Sequence, residues 1–315
     1  RSVPKLLSVR NLINTTDLTA DDITQILDTA RSMEEINHRT IKKVPALRGR
    51  TIVNLFLEAS TRTRSSFEIA EKRLSADSLN VQGSSSSVSK GECLEDTIKT
   101  LDSYGIDMFV CRARNAGTAE RITQYTDARV INAGDGKHAH PTQALLDLYT
   151  MREHFGKLEG LKVAIVGDLL HSRVVGSLAP ALRTMGAKVT LVGPPTFQLP
   201  DPEVFGAEET YDFDSVIEDA DVVYMLRVQL ERMEGATIPS KREYNRLWGL
   251  NAERHARMKE GALVMHPGPM NRGMEIDSIP ADAQNSFVTR QVAAGLYTRM
   301  AEMYLLLGGE ENAAD

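Results

Sequence analysis

Ser60-Thr61-Arg62-Thr63-Arg64 places hydroxyls and guanidinium groups in five consecutive residues. An apolar run from Thr51 to Leu57 precedes them, and Phe67, Ala70 and Leu74 keep helical spacing after them. Ser60 is therefore expected at the N-cap of a helix that follows a strand. The N–H groups of the first helical turn lack intrahelical partners, and the helix dipole adds partial positive charge there. With two threonine hydroxyls and a guanidinium, this makes a cradle for a phosphate or an oxyanion. The same residues also read as a well-capped helix with exposed arginines.

Three more clusters follow apolar runs. Gly134-Asp135-Gly136 leads to His140-Pro141-Thr142-Gln143. With Pro141 at the first helical position, His140 is the N-cap and Gln143 stands at the same helix end. A neutral imidazole can polarise a carbonyl, and an amide can hold an NH₂ group. His138 and His140 have no third ligand nearby in sequence, so no metal is expected. Gly167-Asp168, followed by Ser172-Arg173, starts like a nucleotide-binding turn but lacks GxGxxG. This removes support for a dinucleotide site and leaves Arg173 as a candidate anion ligand or a solvated arginine. Arg227 and Gln229 face the same way in extended chain and suit a carboxylate, or form a polar edge. Arg112 and Lys90, the latter in the serine-rich stretch SSSSVSKGE, add two cations. His266-Pro267-Gly268-Pro269 reads as a sharp turn presenting backbone carbonyls, with His266 a packed structural residue. Few acids stand beside these cations in sequence, which suits small substrates carrying several negative charges. No Ser-His-Asp set, cysteine nucleophile or paired carboxylates stand out.

The elements that must position these groups alternate along the chain. Thr19 and Asp22 form a capping box ahead of Ile23, Ile26, Leu27 and Ala30. Asp107 to Cys111 and Arg129 to Ile131 read as strands, and Leu94, Ile98 and Leu101 as a helix face. Ala144, Leu145 and Leu148 continue a helix closed by Gly156. A second series holds strands at 161–166, 188–192, 221–226 and 262–265 and a helix bearing Val175, Leu178, Ala179 and Leu182. A last helix shows Val292, Leu296, Met300, Met303 and Leu307. This pattern predicts an α/β chain of two domains, each a parallel sheet with helices on both faces, joined by helices. Such sheets bind ligands beyond the carboxyl ends of their strands, where the clusters fall.

Composition narrows the classes. With 37 Lys+Arg against 43 Asp+Glu, the net charge of −6 argues against a general nucleic-acid binder. Of the basic residues 25 are Arg and 12 are Lys, a bias toward the group that binds carboxylate and phosphate bidentately. Two cysteines, Cys93 and Cys111, are too few for a disulfide framework or a Cys-based zinc site. No apolar run reaches the length of a membrane span, and the opening RSVPKLLSVRNL has no signal-like core. A cytoplasmic chain is expected.

The ordered motifs STRTR, HPTQALLDLYT, VGD with SR at 172–173, RVQLER and HPGP run between Arg48 and Leu307. Together they resemble the aspartate/ornithine carbamoyltransferase family, on its aspartate branch. Ornithine members typically carry a cysteine in the late turn and an SMG triplet, and this chain has neither. The resemblance implies carbamoyl transfer from carbamoyl phosphate to L-aspartate, with no cofactor and no metal. It implies a carbamoyl-phosphate domain over residues 1–147, onto which the helix of residues 290–315 packs, and an aspartate domain over residues 148–289. Ser60, Thr61, Arg62 and Thr63 would hold phosphate, with Arg112 on phosphate and carbonyl. Thr63, Arg112 and His140 would polarise the carbonyl, and Gln143, Pro267 and Gly268 would hold the carbamoyl NH₂. Arg173, Arg227 and Gln229 would bind the aspartate carboxylates. Ser87 (or Ser86) and Lys90 would reach a neighbouring subunit's site, which implies a homotrimer with shared sites. The family's best-known members have Leu where this chain has Gly268, but the contact is through backbone. The stretch His266 to Ile276 is similar to the branch whose trimers are free or associated with dihydroorotase, with a regulatory-chain partner as the alternative. The two-domain reading leads to the expectation that binding both substrates closes the domains on each other. A Rossmann dehydrogenase and a non-catalytic scaffold are the other readings. The first lacks its glycine fingerprint, and the second would be expected to lose Arg62, Arg112, His140 or Lys90.

Overall fold

The computed structural model describes residues 6–83, 93–228 and 240–308. Ser86, Ser87, Lys90 and Gln229 lie outside them. The chain divides into two compact units, one of Arg1–Tyr149 with Ala293–Asp315 and one of Thr150–Val292.

In the first unit α1 (Ala20–Asn37) starts on the expected capping box: Asp22 N donates to Thr19 Oγ1 at 3.1 Å, and Thr19 N donates to Asp22 Oδ2 at 3.0 Å. The chain then alternates β1 (Thr51–Phe56), α2 (Thr61–Arg73), β2 (Asp77–Gln82), α3 (Leu94–Asp102), β3 (Met108–Ala113), α4 (Thr118–Ile122), β4 (Arg129–Asp135) and α5 (Pro141–Phe155). All four strands are parallel, in the order β2-β1-β3-β4. Val53, Leu55, Ile98, Phe109, Cys111, Ile122 and Val130 form one buried cluster. Parallel strands covered on both faces read as continuous apolar runs, which is why β1 and β3 are legible in sequence. Strand β2 is not: among the described residues it pairs only with β1, and no residue of DSLNVQ is buried. An edge strand of this kind needs no apolar alternation.

The second unit continues with β5 (Lys162–Val166), α6 (Val175–Thr184), β6 (Lys188–Val192), β7 (Glu208–Thr210), β8 (Val222–Met225), α7 (Lys241–Trp248), α8 (Ala252–Arg257), β9 (Leu263–Met265) and α9 (Ser278–Ala281). Its sheet is parallel, in the order β7-β6-β5-β8-β9. Ala164, Val166, Val192, Val223, Met225 and Val264 are among its core. Gly167 follows β5 at φ +131°, and a Cβ there would meet Leu226 Cβ and O, each at 3.3 Å. Close approach of two strand ends thus explains the Gly-Asp start without a nucleotide.

Helix α10 (Val288–Leu307) closes the fold, and from Ala293 it belongs to the first unit. Met300, Met303 and Leu307 are buried, but Val292 is 60% exposed. The apolar face therefore starts later than its spacing suggests. Thr298, Arg299 and Glu302 are buried as well, so the helix is enclosed on more than one face.

Candidate functional site

In each sheet the strand order reverses direction once. In the first unit this happens between β1 and β3, and in the second between β5 and β8. Crevices beyond the carboxyl ends at such points are where open α/β sheets bind ligands. The carboxyl end of β3 carries Arg112, and the segments after β1, β5 and β8 carry Ser60 to Thr63, Arg173 and Arg227.

In the first unit Ser60 is the N-cap of α2, as its sequence suggests, but its hydroxyl makes no capping bond. Thr61 and Arg62 are exposed, whereas Thr63 is buried. Phe56 pairs in register with Arg112, so the end of β3 lies beside the segment that starts α2. Arg112 Nη1 donates to Thr63 Oγ1 and to Ala133 O, both at 3.3 Å. Its Nε lies 3.5 Å from Glu58 Oε2. The expectation that few acids stand beside the cations is corrected here. Glu58 follows β1, and strand register brings it to a residue more than fifty positions away. The carboxylate fixes the guanidinium's orientation and leaves its donors directed by geometry.

His140 precedes Pro141, the first residue of α5, and is 5% exposed. Thr142 Oγ1 lies 3.4 Å from His140 Nδ1. Gln143 was expected to converge with His140, but its Nε2 donates along the helix to Asp147 Oδ1 at 3.1 Å. Gly134 and Asp135 form the end of β4, not a loop. Asp135 is buried and accepts from Gly117 N, Asn132 Nδ2 and Ala139 N at 2.8–3.1 Å, with His138 Nδ1 at 3.0 Å. This carboxylate fastens the turn that delivers His140. Cys111 is fully buried, which pushes its thiol up to about 12 and removes it as a nucleophile.

In the second unit, buried Asp168 accepts from His171 N at 3.2 Å, and His171 Nδ1 lies 2.8 Å from its Oδ1. This closes the turn ahead of half-buried Arg173. Arg227, also half-buried, follows Leu226, whose N donates to Val166 O at 2.8 Å. Asn271 Nδ2 donates to Val228 O at 3.0 Å and anchors the backbone next to Arg227. The turn after β9 has a cis bond between Gly268 and Pro269. His266 is 1% exposed, in the structural role expected. Its Nδ1 accepts from Gly268 N at 2.8 Å, and its Nε2 lies 3.1 Å from Glu275 Oε1. The half-buried Pro267 and Gly268 are thereby held at one end of a buried hydrogen-bonded frame.

The carbamoyl-phosphate-binding domain model of aspartate/ornithine carbamoyltransferases matches residues 10–153, and the Asp/Orn-binding domain model matches residues 159–306. The chain belongs to the aspartate/ornithine carbamoyltransferase family. Among carbamoyltransferase relatives, the aspartate carbamoyltransferase catalytic subunit of Thermobifida fusca is 55% identical over 301 residues, 96% of each chain. That of Halothermothrix orenii is 52% identical over 309 residues, 98% of this chain and 99% of the relative. The aspartate transcarbamoylase of Trypanosoma cruzi, solved with carbamoyl phosphate and aspartate, superposes with a TM-score of 0.87 at 32% identity, covering 97% of this chain and all of that one. The same enzyme with N-(phosphonacetyl)-L-aspartic acid gives 0.87 at 33% identity, covering 97% and 98%.

Sequence reasoning missed Glu58, Asp135 as a fastener and Asn271. Only Glu58 had a usable signal, as a lone acid directly after a buried strand.

Proposed function

We propose that the chain is an aspartate carbamoyltransferase that transfers the carbamoyl group of carbamoyl phosphate to the amine of L-aspartate, giving N-carbamoyl-L-aspartate and phosphate, a step of pyrimidine synthesis. The observation that carries the residue roles is the guanidinium of Arg112 set on the Thr63 hydroxyl at the start of α2, where the first sheet reverses direction. The name and near-complete coverage of the relatives support the activity.

The first unit holds carbamoyl phosphate: Ser60, Thr61, Arg62 and Thr63 bind phosphate oxygens through side chains and helix-start N–H groups. The neutral aspartate amine attacks the carbamoyl carbon, so a C–N bond forms and negative charge develops on the carbonyl oxygen. Thr63, Arg112 and His140 stabilise that charge as preorganised donors. Gln143 and the Pro267 and Gly268 carbonyls hold the NH₂. The C–O bond to phosphate then breaks, and the departing phosphate takes the amine proton. Arg173, Arg227 and Gln229 bind the two carboxylates. Losing one oxyanion donor typically costs ~3 kcal/mol, ~100-fold in rate. The rest of the acceleration comes from holding two mutually repelling anions together.

The working form is a homotrimer in which Ser87 (or Ser86) and Lys90 complete a neighbour's site. It works in the cytoplasm, a setting that suits two free thiols, Cys93 and Cys111. Among the described residues no helix is long and apolar enough to cross a membrane. Association with a dihydroorotase fits the stretch His266 to Ile276 better than a regulatory chain does, and co-elution on size-exclusion chromatography tests both.

Parallel carbamoylation assays with L-aspartate and L-ornithine test the function. Turnover of aspartate is expected, since Arg227 repels ornithine's cationic side chain; no aspartate turnover between pH 7 and 10 overturns the proposal. For the shared site, Lys90→Ala and Arg62→Ala proteins are each expected to be inactive and to regain activity on subunit exchange. No recovery removes the sharing.

A further inference from the structure

Arg299, on α10, is buried in the first unit and takes no part in the scheme above. Its Nη1 donates to Ser66 Oγ at 2.9 Å, on α2 one turn beyond Thr63. Its Nη2 donates to Thr142 Oγ1 at 3.4 Å, on α5 between His140 and Gln143. The guanidinium stands 5.0 Å from the centroid of the Phe67 ring, also on α2. Gly295, one turn earlier on α10, makes room for it: a Cβ there would lie 2.9 Å from Arg299 Nη1 and 3.2 Å from Leu146 Cδ2. A single side chain thus bridges the second turn of α2 and the first turn of α5, two helices that carry candidate site residues.

The donor inventory gives that bridge a direction. A guanidinium only donates, so Thr142 Oγ1 must accept from Arg299. The Thr142 proton is then available to an acceptor, and His140 Nδ1 is 3.4 Å away. An Nδ1 that accepts carries no proton, so the neutral ring holds its proton on Nε2. This is the form that can donate to a carbonyl oxygen from the far side of the ring. Both 3.4 Å contacts are long, and catalytic hydrogen bonds commonly tighten only when ligand is bound.

We propose that Arg299 is a positioning residue that ties the starts of α2 and α5 together and, through the Thr142 hydroxyl, fixes the Nε2–H tautomer of His140. The role in rate rests on the carbamoyl-transfer reading; the tautomer does not. Burial without a full set of partners is consistent with a role beyond stability. Desolvation lowers the Arg299 pKa to about 10 and pushes the carboxyl of Glu302, one turn on, well above the usual carboxylate range. Neither Glu302 oxygen has a hydrogen-bond partner among the described residues.

The test uses ¹⁵N-histidine spectra of the full-length protein near neutral pH, with the His140 signals identified by their loss in His140→Gln, alongside steady-state kinetics. Wild type is expected to show one neutral Nε2–H form. Thr142→Val, which keeps side-chain volume and removes the hydroxyl, is expected to show mixed tautomers. Its kcat should fall about tenfold, the size of one modest hydrogen bond, with KM for aspartate unchanged. Thr142→Ser is expected to recover most of both losses. A Thr142→Val protein that keeps the single tautomer, or a serine variant no better than valine, overturns the proposal. If the valine variant fails to fold, the double variant Arg299→Met with Glu302→Gln removes the bridge and its counter-charge together. Mixed tautomers are expected there, and a single one overturns the proposal. If wild type does not carbamoylate aspartate, the functional reading fails while the spectra still decide the relay.

Discussion

The two units present cations at the same topological place by different means. In the first, Arg112 is the penultimate residue of a central strand and is held by Glu58, Thr63 and the Ala133 carbonyl, beside the start of a thirteen-residue helix. In the second, Arg173 and Arg227 lie in irregular segments whose backbone is fastened by neighbours such as Asp168 and Asn271. Backbone N–H groups at a helix start suit a tetrahedral anion, which can be met from several fixed directions. Two carboxylates on a small flexible substrate are better met by planar guanidinium forks on longer reach. On the roles proposed above, the first unit sets rate and the second sets the choice of acceptor.

The strongest way to break this contrast is Arg112→Ala. A loss of about a thousandfold in kcat is expected, because the proposed scheme sets one side chain on both phosphate and developing oxyanion. A fall confined to KM would remove the distinction between the units. Arg227→Ala should raise the aspartate KM about a hundredfold, from loss of one charge-assisted contact, while titration calorimetry with inorganic phosphate shows unchanged binding. Equal damage to phosphate binding would merge the two roles. His266→Ala should lower the stability of the second unit by about 2–4 kcal/mol by denaturant titration, since Glu275 and Gly268 N lose a buried partner. A modest rise in the carbamoyl-phosphate KM should accompany it, and an unaffected KM would detach the Pro267–Gly268 turn from binding.

The smallest effect is on stability in the first unit. Glu71 on α2 is fully buried, and desolvation raises its pKa to about 7 despite bonds from Ser78 Oγ and Asn54 Nδ2. Its folded pKa lies above the unfolded value near 4.5. The native state therefore holds the extra proton between those values, and stability falls as pH rises from about 4.5 through about 7. Glu71→Gln keeps the accepting oxygen without the charge. It should match wild type in melting temperature at pH 4.5 and exceed it by a few degrees at pH 8.5. Equal melting temperatures at both pH values would show that the carboxylate is not strained by burial.

Much of this architecture is written locally. Buried parallel strands such as TIVNLF and KVAIV are apolar along their length, and Thr19 with Asp22 signals a helix start within four residues. Strands β2 and β7 escaped because edge strands carry no apolar obligation. Val292 lies on the expected stripe but is exposed, because helical spacing fixes a stripe and not where along the helix burial begins. Among candidate site residues, Arg112, Arg173 and Arg227 stand out in sequence as cations after strands. The Gln143 amide nitrogen could not be placed from sequence, since it has a choice between the helix end and Asp147 one turn on.

The sequence by itself determined the alternation of strands and helices, the residue types at strand ends and the ordered motifs of the family, all consequences of short-range chemistry. Only the tertiary structure decided that Glu58 braces Arg112, that Asp135 fastens the turn before His140, and that Arg299 reaches Ser66 and Thr142 from the far end of the chain. The reason is that strand register and helix burial, not sequence spacing, set which distant polar groups share a site without water.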